Sequence, residues 1–462
     1  MREKNIKLYI VLFSQIALFL AIIILKIQST SLHTVAFLCS LSITLFIISS
    51  FYLRVRKLNV YFIFIILTYV FHFGQVFLYI FGINNPLPPK FNINYYETSV
   101  LVNSLYYSLI VIVIFQIVGF LLLKKIINHT INISKKQIAD NKIDSSFFII
   151  MILITILPYL YVDISQMLLA SELGYVDAYK FGNSYFLSLF VNFFLISLFG
   201  FLTSTNNRKL GKMIIFIFAI WNVIKMFTVG NRSQPMAILL ALVFIYISIS
   251  KPKKIKIKPI HIVLGLLILL LLPYIAYIRN STSNTNEYSN FIFYLLNDNP
   301  ISYLLAEFGG TILTLFTVID IVPEIVSFSN GLTYLGSLTI LLPFSTTIFG
   351  GYFSAHISVG ETMNSFFGGG LGGSWIAELY FNFGYFGILL VPIYSFCIKR
   401  ISDMIDNNIV PKYTINRALM FYMLIPLFIF PRGYFYTFVS YLNVYIYVAI
   451  AYFVYRRLRL GE

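Results

Sequence analysis

The sequence predicts an all-α integral membrane protein, and three observations lead there. Hydrophobic residues make up 59% of the chain and charged residues 11%, with a mean hydropathy of +0.85, a balance suited to lipid as the main solvent. Apolar runs near the ~20 residues that cross a bilayer as a helix recur twelve times. Basic residues gather in alternate connections between those runs, as they do in polytopic proteins whose cytoplasmic loops hold the Lys and Arg.

The spans fall at about 7–25, 33–53, 58–82, 100–123, 147–163, 185–203, 213–229, 235–250, 259–278, 375–398, 415–430 and 435–455. The first follows a basic start and lacks a small-residue cleavage site, so it reads as a retained span. Of 33 Lys and Arg, 26 lie in every second connection, among them Arg54, Lys124, Arg208, the stretch KPKKIKIK at 251–258, Lys399 and Arg456. A miscounted span would scramble that alternation from its position onward; the count places both termini in the cytoplasm. The whole chain, 1–462, then forms one polytopic membrane domain. Between Arg279 and Lys399 there is no Lys or Arg, which makes 279–374 a large external segment. Its two apolar pieces, 301–322 and 332–351, would raise the count to fourteen if they crossed. Glu307, Gly309 and Gly310 in the first and Pro343 in the second favour packed, interfacial or re-entrant helices.

Composition also excludes functions. A formal net charge of +16 would suggest nucleic acid in a soluble protein, but here the excess is topological. Cys39 and Cys397 sit inside apolar runs and supply neither a disulfide framework nor a metal set. Asp-x-Asp, His-Glu-x-x-His, P-loop and glycine-rich dinucleotide motifs are all absent from the sequence, so no nucleotide substrate, metal or cofactor is implied.

With the orientation set, cations on the outer side have no topogenic reason to be there. Arg232 lies in the turn TVGNRSQP between two spans, Arg279 ends a span in AYIRNSTSN, and Arg432 lies in the turn FIFPRGYF. Guanidinium groups grip phosphate through paired hydrogen bonds, so a shared anion site is expected. Lys225 stands seven residues before Arg232 and would share a helix face with it if the helix continued that far. Snorkelling to headgroups is the plain alternative for each cation. Glu378 lies one turn into a span, with Asn382 at i+4 and Gly384 and Gly387 permitting close helix approach; an intramembrane carboxylate suggests function, or a structural partner for an arginine. FSAHISVGETMNSFFGGGLGGSW carries His356, Glu361 and five glycines in six positions, a flexible loop suited to a bulky substrate. His356, Glu361 or Glu378 could take a proton from a sugar hydroxyl.

GNRSQ opening a span, EFGGTILTLFTVIDIVPE, FSNGLTYLGSL and GGGLGGSWIAELYFNFGYFGILL together resemble the Wzy family of O-antigen and capsular repeat-unit polymerases, in motifs over about 215–400 and in topology throughout. The resemblance implies a metal-independent, inverting glycosyltransferase of the GT-C type, multi-pass in the bacterial inner membrane with its active site facing outward. Its substrates would be undecaprenyl-pyrophosphate-linked glycans, and a chain-length regulator could be a partner. Outer arginines would hold the pyrophosphate, with Arg232 and Arg279 matching best and Arg432 added by charge placement. A lipid-linked oligosaccharide flippase and an O-antigen ligase are the alternatives.

Overall fold

Lipid offers no hydrogen bonds to the backbone, and a helix satisfies its own peptide groups within one segment. Accordingly every regular element among the described residues is helical. The structure, a computed structural model, describes residues 2–28, 31–55, 59–123, 137–172, 185–205, 207–250, 274, 299–342, 348, 359–368, 370–406 and 415–460. Among them, 11 helices are long and apolar enough to cross a membrane.

The chain divides into two compact units. The first comprises 1–131, 301–406 and 430–439. Its α1 (Arg2–Gln28), α2 (Leu32–Tyr52) and α3 (Val60–Ile80) surround α4 (Thr98–Leu122). α4 is apolar on every side, the composition of a helix buried all round, and its residues Leu105 to Val113 are all buried. The second unit comprises 132–300, 407–429 and 440–462. Here α5 (Gln137–Glu172) packs on α6 (Tyr185–Ser204) and α7 (Arg208–Val229), and α7 packs on α8 (Ser233–Ser250).

Most expected spans match helices, with instructive exceptions. The span at 259–278 lies outside the described residues except for Tyr274. The first external apolar piece forms α9 (Pro300–Gly309) and α10 (Ile312–Ile321), a broken pair that is nonetheless long enough to span. It is packed by glycine contact: a Cβ on Gly74 would stand 2.2 Å from the Leu305 carbonyl oxygen, and one on Gly309 2.3 Å from the Gln75 nitrogen. Gln75 seals that crossing, donating to the carbonyls of Ala306 (3.0 Å) and Phe91 (2.9 Å) and accepting from the Ile93 amide at 3.0 Å. Within 332–342 the second piece gives α11 (Leu332–Thr339), whose 8 residues are too short to cross. Further on, α12 (Val359–Phe367), α13 (Trp375–Phe383) and α14 (Val391–Asp406) lead to α15 (Ile415–Tyr422), α16 (Leu424–Ile429) and α17 (Phe435–Leu460).

Gly384 and Gly387 lie close to Tyr107 of α4, as expected of a close helix approach, and they also shape the backbone. Gly384 takes φ +57°, ends α13 and opens a 3-10 turn through Leu390, a conformation that a side chain would disfavour. A Cβ on Gly387 would meet the Leu379 carbonyl oxygen at 2.6 Å. Both glycines serve a break within one span.

Candidate functional site

In the first unit the site is built from the start of α13. Ser374, with extended backbone (φ −150°, ψ 114°), caps this helix by accepting from the Ala377 amide at 3.1 Å, which satisfies one of the unpaired donors of a helix start. His72 on α3 anchors the cap. Its Nδ1 faces the Thr68 carbonyl at 3.0 Å and its Nε2 the Ser374 hydroxyl at 3.0 Å. A carbonyl can only accept, so in the neutral imidazole Nδ1 donates and Nε2 accepts from Ser374.

One turn on, Glu378 is 0% exposed. Its Oε1 accepts from Thr333 Oγ1 at 3.0 Å and its Oε2 from the backbone amide of Phe435 at 2.7 Å. Asn382, the expected i+4 neighbour, donates to Thr333 Oγ1 (2.7 Å) and to the Glu378 carbonyl (2.8 Å). Thr333 is delivered by the loop Phe328–Leu332. The Asn-Gly pair there turns the chain with φ +48° and +88°, values that Asn and Gly accommodate. The Ser329 and Asn330 amides then donate to the Phe381 and Asn382 carbonyls, and the Gly331 amide to Asn382 Oδ1 at 3.0 Å.

The turn before α17 lies against the glycine run. Arg432 is half-buried, and a Cβ on Gly372 would stand 3.1 Å from its Nε. The absent side chain is what gives the guanidinium its place. Beside it, a Cβ on Gly373 would meet Gly433 Cα at 2.9 Å, so two backbones touch. The Gly372 carbonyl accepts from Thr314 Oγ1 at 2.5 Å and from the Tyr434 hydroxyl at 3.4 Å. Burial raises the Tyr434 phenol above its ordinary range, which keeps its proton in place for that bond. Upstream, Leu371 N donates to Asn364 Oδ1 at 2.7 Å and Lys90 Nζ to the Gly368 carbonyl at 2.7 Å. The described part of this run is therefore docked, where the glycine content alone suggested a flexible loop.

The other predicted residues are distributed differently. In the second unit α7 stops at Val229, capped by Gly230 at φ +79°, a left-handed cap typical of glycine. The helical alignment of Lys225 with Arg232 therefore does not occur. Lys225 instead pairs with Asp163, which also accepts from Trp221 Nε1 at 2.7 Å; Asp163 is 0% and Lys225 7% exposed. Arg232 is half-buried at the entrance to α8, its carbonyl accepting from the Met236 amide at 3.0 Å. Glu361 rides on α12, and its side chain, like Arg279 and His356, lies outside the described residues.

Glu378 and Arg432 thus reach one cluster, joined through Phe435 and the glycines. His72, Thr333 and Asp163 are the polar residues that sequence reasoning passed over. Only Thr333 had a local signal, the Asn-Gly turn signature just before it.

A sequence family described as O-antigen polysaccharide polymerase Wzy matches residues 9–459 of the chain. No curated protein and no solved structure shows significant similarity to it.

Proposed function

The chain belongs to the O-antigen polysaccharide polymerase Wzy family, and on that premise we propose how this membrane-embedded repeat-unit polymerase performs its reaction. The substrates are undecaprenyl-pyrophosphate-linked glycans, met at the outer face of the bacterial inner membrane, with both termini of the chain in the cytoplasm. A hydroxyl on the non-reducing end of a new lipid-linked unit attacks the anomeric carbon of the growing glycan. The bond from that carbon to the pyrophosphate breaks with inversion, the electron pair leaves with undecaprenyl pyrophosphate, and the hydroxyl proton passes to a protein base. His356 and Glu361 are the groups suited to take it; Glu378, the third candidate of the sequence, has both oxygens bonded within the protein.

Charge accumulates on the departing pyrophosphate, and fixed cations aimed at such charge are a large source of rate enhancement. Arg432 supplies this in the first unit, while Arg232 and Arg279 are the other arginines proposed to contact phosphate. Lys225 is committed to Asp163 and supports α7 instead. The reaction needs no metal in this scheme. The observation that carries the reading is the Arg432 guanidinium, set by Gly372 and Gly373 on a turn that α13 also holds.

Deletion of the gene tests it through the surface glycan. Loss of long chains, with one repeat unit still attached to the lipid anchor, is expected. Absence of any attached glycan would instead indicate a ligase, and lipid-linked units trapped on the cytoplasmic side a flippase. A separate chain-length regulator would alter the modal length without abolishing polymer.

A further inference from the structure

Glu378 is fully enclosed, and its two oxygens face two donors of the protein itself. A general base has to approach the proton it removes to about 2.6–3.2 Å, directly or through one water. A carboxylate with 0% exposure, bonded to Thr333 through one oxygen and to Phe435 N through the other, is arranged for a different task. Phe435 is the first residue of α17, and its amide is one of the donors a helix leaves unpaired at its start. An anion at that position is further favoured by the helix dipole. Glu378 therefore fastens the beginning of α17 to α13.

Arg432 stands three residues earlier on the same turn. Between the two, Gly433 touches Gly373 and Tyr434 donates to the Gly372 carbonyl. On the opposite side Thr333 accepts from Asn382, which directs its own proton to Glu378. We propose that Glu378 is a positioning residue: it pins the turn that carries Arg432, holding the guanidinium toward the pyrophosphate, while the acceptor proton goes to another group. This rests on the reading above that Arg432 meets the pyrophosphate.

Glutamine separates the two roles. A carboxamide cannot serve as a base, but it keeps one acceptor for Phe435 N, and its amide can donate to Thr333 Oγ1, a hydroxyl with two lone pairs. Full-length protein in liposomes would be supplied with lipid-linked repeat unit extracted from cells lacking the protein, and initial polymerisation rates measured across pH. Glu378→Gln is expected to stay within about tenfold of wild type, the scale of one lost hydrogen bond, and to retain the acid limb of the wild-type pH profile. Thr333→Val should fall in the same range, and Glu378→Ala should lose ~100-fold or more as the turn is released. If Glu378→Ala does not insert, the Gln and Val variants still decide the matter. A Gln variant that is correctly inserted yet inactive, or that loses the acid limb, would overturn the proposal and make Glu378 the base, leaving the Arg432 reading intact. Wild-type rates in Arg432→Ala would overturn both.

Discussion

Two of the buried carboxylates, one from each unit, are held in opposite ways. Asp163 is bonded to a cation, Lys225, and to the indole of Trp221. Glu378 is bonded to neutral donors, a hydroxyl and a peptide amide. In the first case the charge is neutralised on the spot, and the pair spends its interaction on fixing α5 to α7. In the second the carboxyl group is bonded to groups whose own positions matter, the loop before Thr333 and the turn before α17. Burial alone thus does not mark a functional acid, and what it is bonded to tells more.

Breaking the ion pair should give the largest effect. Lys225→Met leaves an unpaired charge in the interior, which typically costs about 3–5 kcal/mol, and should show as lower accumulation and a lower unfolding midpoint in detergent. The double variant Asp163→Asn with Lys225→Met removes both charges and should recover most of that loss. If the single variant were as stable as wild type, Asp163 would not depend on Lys225 and the contrast would collapse. The glycine contacts of the first unit should respond to shape instead of charge. Gly373→Ala places a methyl against the Gly433 backbone, which cannot give way, so a loss of about 1–3 kcal/mol is expected, with polymer shortened or absent. Gly372→Ala is the mildest change. Its methyl meets the far end of the Arg432 side chain, which can swing aside; stability should stay within about 1 kcal/mol of wild type, while activity falls more than in a surface variant.

Much of the fold was legible because lipid imposes a simple code. Run length and the alternation of basic connections mark the helices. The external segment was harder. Leu332–Thr339 and the broken pair α9 and α10 are set by backbone contacts such as Gly74 with Gly309, residues 235 positions apart by their numbering. The site was legible in part: Glu378 and Arg432 stood out by charge in apolar surroundings and by side of the membrane. Their meeting was not, since Phe435 N is a peptide group and Gly372 is distinguished by the side chain it lacks. Lys225 shows the converse. Its charge suggested an anion site, yet its partner, Asp163, lies on another helix, 62 residues away in sequence, and no local pattern announces that pairing.

The most direct test is the polymerisation rate of Arg432→Ala, measured on purified protein with lipid-linked repeat unit beside wild type, together with its unfolding midpoint. Removal of one preorganised charge contact should lower the rate about 10²–10³-fold with the midpoint unchanged, and cells carrying the variant should display single repeat units. Full-length polymer made at the wild-type rate would contradict the account.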